Sequence, residues 1–255
     1  MSNHDNSHAT AATADSRPET PLVWDHFQAL RRQLRAADGL LFGTDFDGTL
    51  SPIEEDPAAP EPTAENRRSL RAFRDHPQVR PAVISGRGLA DLRERVGIEG
   101  VDYVGNHGLE LGIDGRRETH PDAETAEPKI EAICRALGRR LADIEGTVVE
   151  NKGVTATIHY RMVDREEVET VQEHVYEAVA ELGDEDVEIH DGKESLELRP
   201  AADWDKGSAI AQLQEHVEGW QPLYIGDDTT DEAAFEAITP NGITVHVGDN
   251  HGTVA

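Results

Sequence analysis

The chain has few basic residues, a single cysteine and no long apolar run. Its 255 residues include 24 lysines and arginines against 51 aspartates and glutamates, a formal net charge of −27. Such a surface repels phosphate backbones, so we expect no nucleic acid partner. The one cysteine, Cys134, excludes a disulfide within the chain. No run reaches the roughly 18 apolar residues of a membrane-spanning helix, so we expect no membrane partner.

The composition also bears on habitat and location. At molar salt the Debye length falls to about 3 Å, which screens repulsion between carboxylates. In dilute buffer the same charge would destabilise the compact state. We therefore expect a halophilic source, with an acidic protein of an ordinary source as the alternative. Residues 1–20 lack the basic and apolar regions of a signal peptide and are mostly polar, so we expect a cytoplasmic protein with a disordered tail.

Two carboxylates follow the first strongly apolar run of the chain. Residues 40–43 are apolar and read as a buried strand, and Asp45 and Asp47 come directly after it. Adjacent carboxylates at a strand end repel each other unless a cation or a proton joins them, so the pair suggests a metal site. The alternative is a strand followed by an ordinary Asp-Gly turn.

A second acidic cluster lies far downstream. The apolar residues 223–226 precede Asp227 and Asp228, with Asp231 shortly after. Two parallel strands that end in carboxylates at one sheet edge would supply the oxygen ligands that Mg²⁺ prefers. Alone, this segment could simply begin a helix, since Asp and Thr are good capping residues.

Two smaller motifs lie between the acidic clusters. Ser85 and Arg87 follow the apolar residues 83–84, where a hydroxyl and a turn could hold phosphate oxygens. Lys206 precedes a helical stretch, and a cation there opposes the helix dipole. An external anion is therefore a better reason for this lysine than helix stability. Each motif alone is weak evidence, but the order of all four motifs is strong evidence.

This ordered set resembles the haloacid dehalogenase-like phosphatases over residues 40–248. The resemblance implies an α/β fold, with a Rossmann-like parallel sheet in the core. It also implies that Asp45 is the nucleophile that takes the phosphoryl group and that Asp47 protonates the leaving oxygen and then activates water. Ser85 and Lys206 would hold phosphoryl oxygens. The Mg²⁺ ligands implied are Asp45, the Asp47 carbonyl and Asp227, with support from Asp228 and Asp231.

A compact α/β unit is predicted between the Ser85 motif and Lys206. The pattern there is a helix over residues 128–144, a β-hairpin with its turn at residues 150–153, a helix over residues 164–182 and two strands. We expect this unit to close over the site and exclude water. The predicted division is a tail at 1–20, a core at 21–113 and 200–255, and an inserted α/β cap at 114–199.

Further motifs narrow the resemblance to the trehalose-6-phosphate phosphatase family. They are Gly105-Asn106-His107-Gly108-Leu109-Glu110 after a strand, Glu150-Asn151-Lys152 in the cap and Glu197-Leu198-Arg199-Pro200 before Lys206. A disaccharide phosphate presents many hydroxyls and a dianion, which polar groups on opposing domains could bind together. The substrate-binding residues implied are Arg87, Asn106, His107, Glu110, Glu150, Lys152, Glu197 and Arg199.

The sequence departs from the family at two places. Phe46 stands where the family often has Tyr, which keeps the ring and removes a hydroxyl. The family usually continues into a further strand and helix after the strand at residues 243–247, so we expect one core edge to be less covered here.

The function expected from the sequence is Mg²⁺-dependent hydrolysis of trehalose 6-phosphate through an aspartyl-phosphate at Asp45. A trehalose-6-phosphate synthase is a candidate partner. One alternative is a phosphatase for sucrose 6-phosphate or mannosyl-3-phosphoglycerate. Another is a catalytically silent sugar-phosphate-binding domain that regulates a trehalose synthase, and a third is a phosphomutase that transfers the phosphoryl group to a second sugar.

Overall fold

The structure is a computed structural model that describes residues 22–54, 59–248 and 253–255. The predicted disordered tail at residues 1–20 lies outside the described residues. Within the described ranges the chain forms eleven strands and seven α-helices in two sheet layers. No helix in these ranges has both the length and the apolar composition that crossing a membrane would require.

Seven of the strands form one large sheet, in the order β11-β10-β1-β2-β3-β4-β5. The first five of these are parallel, and β4 and β5 extend the sheet as antiparallel edge strands. Parallel strands need coverage on both faces, which the near-continuous apolar sequence of β1 reflects. The strands are β1 Leu40–Thr44, β2 Val79–Ile84, β3 Asp102–Gly105, β4 Glu110–Ile113, β5 Arg116–Thr119, β10 Gln221–Gly226 and β11 Ile243–His246.

Helices cover both faces of the large sheet. Successive β1 side chains point to opposite faces, so Leu41 packs in one apolar cluster and Phe42 in the other. Helices α2 and α3 bury leucine and valine side chains beside Phe42, and α6 and α7 cover the Leu41 face. None of the residues of α1 is buried. The ranges are α1 Val23–Ala36, α2 Ala64–Arg74, α3 Leu89–Val96, α6 Lys206–Glu215 and α7 Glu232–Ile238.

The chain reverses its direction of travel across the sheet between β1 and β10. From β1 it continues to β2 and β3 on one side, whereas β10 leads to β11 on the other. Ligands of open α/β sheets bind beyond the carboxyl ends of the strands at such a switch point. Asp45 follows β1 and Asp227 follows β10, so the two acidic motifs meet there.

The remaining strands form a four-stranded antiparallel sheet in the order β6-β7-β9-β8. Two helices pack on one face and bury an apolar cluster that includes Ile130, Val175 and Leu196. This cluster is separate from the two clusters of the large sheet. The elements are α4 Pro121–Arg140, β6 Val148–Asn151, β7 Ala156–His159, α5 Val168–Leu182, β8 Val187–Gly192 and β9 Ser195–Pro200.

The helices and strands of this smaller sheet were predicted from the sequence, but some of their predicted ends differ from those in the structure. The predicted hairpin is confirmed by the antiparallel pairing of β6 and β7, but its turn lies at residues 152–155 rather than 150–153, because Glu150 and Asn151 still pair with β7. The helix predicted over residues 128–144 begins earlier, because Pro121 opens it and the ring of His120 caps it. The division into domains at residues 114 and 199 stays a prediction; in the pairing pattern, β5 belongs to the large sheet.

Candidate active site

The loop after β1 brings the two acidic motifs into contact. Gly48 has a φ of +86°, and a Cβ there would lie 1.9 Å from Asp227 Oδ2, so only glycine fits. The Thr49 hydroxyl donates to Asp227 Oδ1 at 3.1 Å. Thus the Gly-Thr pair that follows Asp47 holds the carboxylate supplied by β10. No role for Thr49 is predicted above, although its place in the first motif is a signal for one.

Lys206 bridges two carboxylates at the bottom of the site. Its Nζ donates to Asp45 Oδ1 at 2.7 Å and to Asp231 Oδ1 at 2.8 Å, and all three side chains are buried. Burial lowers the pKa of Lys206, but the charges of Asp45 and Asp231 outweigh burial and raise it. The sequence alone favours an external anion as the reason for this lysine. In the structure its partners are two carboxylates of the chain itself.

The charge balance around Asp45 is negative. Burial is the main cause that raises the pKa of Asp45 to about 8; Lys206 opposes the rise and Asp231 adds to it. The pKa of Asp227 is also raised, chiefly by burial. A divalent cation beside these groups would favour their ionised forms.

Ligand oxygens of Asp45, Asp227 and Asp231 lie within 4.8 Å of one another, a spacing that could hold a metal ion. Asp231, however, already accepts four hydrogen bonds. Its Oδ1 accepts from Lys206 and Tyr224, and its Oδ2 accepts from the backbone N–H groups of Asp227 and Asp228. Asp231 therefore fixes the loop after β10, while Asp45 and Asp227 fit a hard cation.

Asp228 lies at the same strand end but faces the cavity. Its Oδ1 accepts from the Thr230 N–H at 2.7 Å and from the Thr230 hydroxyl at 2.6 Å. Burial raises the pKa of Asp228, but Lys206 and Thr230 outweigh burial and lower it. Asp228 is predicted from the sequence to support Mg²⁺, and it is absent from the carboxylate group that could hold a metal.

Asp47 is paired with an arginine from the neighbouring strand end. The Arg87 guanidinium donates to both Asp47 oxygens at 2.7 Å, a bidentate geometry. Arg87 also donates to Asp91, which accepts from Arg95. Burial lowers the pKa of Arg87, but Asp47 and Asp91 outweigh burial and raise it. Ser85, beside Arg87, is buried and accepts a hydrogen bond from the Arg87 N–H at 3.2 Å.

These groups line one side of a cavity of about 210 Å³. The smaller sheet supplies the opposite side, including Glu150, Lys152 and Glu197. The volume lies below the roughly 300–1,000 Å³ of small-molecule sites. Of the residues predicted from the sequence, ten line the cavity: Asp45, Asp47, Ser85, Arg87, His107, Glu150, Lys152, Glu197, Lys206 and Asp228.

His107 and Arg199 connect the two sheets at the edge of the cavity. Arg199 donates to His107 Nε2 at 3.0 Å and also donates to Glu197. Burial is the main cause that lowers the pKa of His107 to about 4. Burial raises the pKa of Glu197, but His107 and Arg199 outweigh burial and lower it. The His107 imidazole is therefore neutral, and it lies between the turn after β3 and the ionised carboxylate of Glu197.

His159 lines the cavity and is not among the residues predicted from the sequence. It ends β7, and its Nε2 lies 3.0 Å from Glu150 Oε2. The hydrogen bond to His159 is the main cause that lowers the pKa of Glu150. Lys152 Nζ lies 3.9 Å from the same carboxylate oxygen. The only sequence signal was the last position of the strand after the Lys152 turn, which alone does not indicate a cavity residue.

Asn106 and Glu110 do not reach the cavity wall. Both were predicted to bind substrate, yet both are buried and hydrogen-bonded to protein groups. A larger cavity, of about 700 Å³, lies between Arg93 and Gly115, beyond the opposite end of β3. It contains none of the predicted site residues, so the chemistry is concentrated in the smaller cavity.

Comparison with known sequences identifies relatives. The sequence matches the family described as trehalose-phosphatase over residues 43–254. A trehalose-phosphate phosphatase of Mycobacterium marinum is 39% identical over 212 residues, which are 81% of this chain and 53% of the relative. The chain thus spans about half the length of the curated relatives it matches.

Comparison with solved structures confirms the predicted haloacid dehalogenase-like α/β fold. A crystal structure of a trehalose-6-phosphate phosphatase related protein superposes with a TM-score of 0.73 at 25% identity, covering 84% of this chain and 89% of the other. The C-terminal domain of C. albicans trehalose-6-phosphate phosphatase gives a TM-score of 0.71 at 27% identity. This superposition covers 89% of each chain.

Proposed function

The chain belongs to the trehalose-phosphatase family, and we propose that it hydrolyses trehalose 6-phosphate to trehalose and phosphate through an aspartyl-phosphate at Asp45. One observation carries the proposal. A buried carboxylate bonded to Lys206 lies at one side of a cavity, and hydrogen-bonding side chains of a second sheet lie at the other. The first side suits a phosphoryl group, and the second suits sugar hydroxyls.

The phosphoryl side accounts for the first half of the reaction. An Asp45 oxygen attacks phosphorus, and the bond from phosphorus to the sugar oxygen breaks as the new bond forms. Asp47 gives its proton to the departing sugar oxygen, which becomes the hydroxyl of trehalose. Lys206 and Ser85 hold the phosphoryl oxygens. When bound by Asp45, Asp227 and the Asp47 carbonyl, Mg²⁺ would supply positive charge to those oxygens.

The second half returns the residues to their starting state. Asp47, now ionised, takes a proton from water while the water oxygen bonds to phosphorus. The bond between phosphorus and Asp45 breaks, which releases phosphate and frees the carboxylate. The bidentate pairing with Arg87 matches the ionised form of Asp47, which is the base of this half. To act as the acid of the first half, Asp47 has to carry a proton, which requires that this pairing with Arg87 opens.

The residues on the sugar side suit a large, polar leaving group. Glu150, Lys152, His159 and Glu197 present carboxylate, ammonium and imidazole groups to the cavity. Such groups suit a ring with many hydroxyls better than an apolar ester. Because the cavity is small, we infer that the smaller sheet moves away from the larger one to admit a disaccharide. This is the role proposed for residues 114–199 as a cap.

Phosphatases for other sugar phosphates would use the same phosphoryl-binding residues and would differ in the residues that contact the sugar. Sucrose 6-phosphate and mannosyl-3-phosphoglycerate therefore stay as alternative substrates. A silent binding domain would have no use for a buried, lysine-paired Asp45, and a phosphomutase would need the aspartyl-phosphate to survive water. A cytoplasmic location and a trehalose-6-phosphate synthase partner belong to the same proposal and rest on the sequence alone.

The test is phosphate release from trehalose 6-phosphate with Mg²⁺, in a series of potassium chloride concentrations up to the molar range. Sucrose 6-phosphate, mannosyl-3-phosphoglycerate and glucose 6-phosphate are compared under the same conditions. We expect strong preference for trehalose 6-phosphate and a rate that rises with salt, since screening relieves repulsion within a chain of net charge −27. Preference for another sugar would contradict the assignment of the sugar side. Full activity and stability in dilute buffer would contradict the halophilic assignment.

A further inference from the structure

Asn106 joins the two sheets beside the cavity without lining it. It follows β3, is fully buried and has a φ of +50°, a conformation that Asn tolerates better than most residues. Its backbone N–H donates to the Arg87 carbonyl at 2.7 Å. The main chain of Asn106 is thus tied to the loop that carries the arginine of Asp47.

The side chain of Asn106 reaches into the smaller sheet. Its Nδ2 donates to the Lys152 carbonyl at 3.3 Å, and its Oδ1 accepts from the Thr155 hydroxyl at 2.6 Å. Nδ2 also donates to Glu110 Oε2 at 2.6 Å, so both of its N–H groups are used. This pattern of acceptors around Nδ2 and a donor at Oδ1 also fixes the orientation of the amide.

Glu110 keeps Asn106 in place. Besides Asn106, Glu110 accepts from the Leu89 N–H at 3.1 Å and from Arg117 at 2.6 Å. The carboxylate is buried and bonded at both oxygens, so it anchors the amide to the start of α3. The two residues therefore have their hydrogen-bonding capacity committed to protein partners, which leaves little for a sugar hydroxyl.

The Lys152 turn is held from two directions. The Lys152 N–H donates to the Thr155 carbonyl at 2.9 Å, and its own carbonyl accepts from Asn106. Thr155 is buried and bonded to Asn106 as well. Only the Lys152 side chain leaves this arrangement, and it enters the cavity. The position of its ammonium relative to Asp45 thus depends on the amide of Asn106.

From these contacts we propose that Asn106 and Thr155 form a positioning pair that sets where Lys152 meets the sugar, and that neither residue contacts substrate. The proposal rests on the proposed function and concerns the sugar side of the same site. Loss of the bond between Thr155 and Asn106 would loosen the turn and weaken binding of the sugar. The hydrogen bonds of Lys206 go to Asp45 and Asp231 and involve neither residue of the pair, so this buried cluster would keep its geometry.

The chain offers a matched pair of substitutions. Thr155→Val removes the hydroxyl bonded to Asn106 and keeps the shape of the side chain. Thr157→Val makes the same change two residues later, at an equally buried threonine whose hydroxyl has no hydrogen-bond partner among the described residues. Thr155 has the bond to Asn106 and Thr157 does not. Thr157 lies in β7 and pairs with Glu150 and Glu197 on the neighbouring strands, so its variant also reports how sensitive the sugar side is to a Thr→Val change.

The experiment measures KM and kcat for trehalose 6-phosphate and kcat/KM for p-nitrophenyl phosphate, a phosphate ester without a sugar. We expect Thr155→Val to raise the KM for trehalose 6-phosphate about 3- to 10-fold, the effect of losing one neutral hydrogen bond. Its kcat/KM for p-nitrophenyl phosphate should stay close to wild type, which also reports that the variant is folded. Thr157→Val should raise the KM for trehalose 6-phosphate much less.

A second experiment tests whether Asn106 and Thr155 affect substrate binding through Lys152. In a Lys152→Ala background, Thr155→Val should raise the KM for trehalose 6-phosphate no further, because the group it positions is gone. An undiminished effect in that background would overturn the proposal. So would equal effects of Thr155→Val and Thr157→Val, or equal losses with both substrates. A wild-type enzyme that prefers another sugar phosphate would overturn the proposed function instead, and the same comparisons with that sugar would still decide the role of the pair.

Discussion

The two sides of the cavity differ in how firmly their charged groups are held. On the large sheet, the side chains of Asp45, Lys206 and Asp231 are at most 7% exposed, and both carboxylates are bonded to Lys206. On the smaller sheet, the side chains of Glu150 and Glu197 are 41% and 24% exposed. The first group is fixed before substrate arrives, as electrostatic stabilisation of a transition state requires. The second group keeps access to solvent and therefore to sugar hydroxyls.

This difference suggests a division of labour between the sheets. Phosphoryl transfer is the same for any leaving group, so its residues need no adjustment between substrates. The leaving group varies, and the residues that contact it lie on a separate sheet with its own apolar core. Substitutions on the two sides should therefore have different effects on different substrates.

The largest expected effect comes from the nucleophile. Asp45→Asn should lower kcat on the order of 10⁴-fold or more, for trehalose 6-phosphate and p-nitrophenyl phosphate alike, because no covalent intermediate can form. Phosphate release with both substrates is the measurement. Asp38→Asn, at an exposed carboxylate just before β1, is the control. A large loss with only one substrate would break the proposed division.

Lys206 should give the next largest effect and should also affect stability. Lys206→Ala removes the cation between Asp45 and Asp231, so kcat should fall on the order of 10²-fold or more with both substrates. Two carboxylates are then buried without their cation, and the free energy of unfolding should fall by about 3–5 kcal/mol. Kinetics and urea unfolding measure the two effects.

The matched control for Lys206 is Lys129→Ala. Lys129 also pairs with two aspartates, Asp184 and Asp186, but lies near the surface. Its loss should change neither rate nor stability by a comparable amount. Similar losses of rate and stability in the two variants would contradict the claim that burial makes the ion pairs of Lys206 stronger than those of Lys129.

Lys152 tests the role of the sugar side. Lys152→Ala should raise the KM for trehalose 6-phosphate about 10-fold or more, the effect of losing a hydrogen bond to a charged group. The loss with p-nitrophenyl phosphate should be far smaller, because that ester carries no sugar. Lys193→Ala, at an exposed lysine in the turn between β8 and β9, serves as control. If Lys193→Ala had as large an effect as Lys152→Ala, the net charge of the protein would explain the KM, and not a contact between Lys152 and the sugar.

The smallest expected effect concerns pH. His107 has an ordinary pKa of 6.5 that falls to about 4 in the folded state. Between these values the unfolded chain binds more protons than the folded one, so this residue makes stability fall as pH drops from 6.5 to 4. NMR titration should show the His107 ring neutral at pH 6, and a midpoint near 6.5 would contradict the burial of the ring beside Arg199.

The sequence predicts best those features that depend on short stretches of chain. Asp45 and Asp227 directly follow apolar strands, so parallel pairing alone brings them to one edge of the sheet. The helix after Lys206 was predictable because Asp205 provides a side-chain cap. Helix α1 was missed, and none of its residues is buried in a core.

Features that depend on distant residues meeting in space were not predictable. Asp47 and Arg87 lie 40 residues apart, and no local pattern indicates that the arginine holds the acid. His159 becomes a cavity residue only because the hairpin turns it toward Glu150. Asn106 illustrates the opposite case, since its motif predicts a substrate contact, whereas the fold buries the side chain and bonds it to the Lys152 carbonyl.

The most direct test of the division of labour is one ratio, the kcat/KM for trehalose 6-phosphate divided by that for p-nitrophenyl phosphate. It is measured in wild type, Lys206→Ala and Lys152→Ala under identical salt and Mg²⁺. We predict that the ratio stays near the wild-type value in Lys206→Ala and falls about 10-fold or more in Lys152→Ala. A ratio that falls equally in both variants, or in neither, would contradict the claim that one sheet transfers the phosphoryl group and the other selects the sugar.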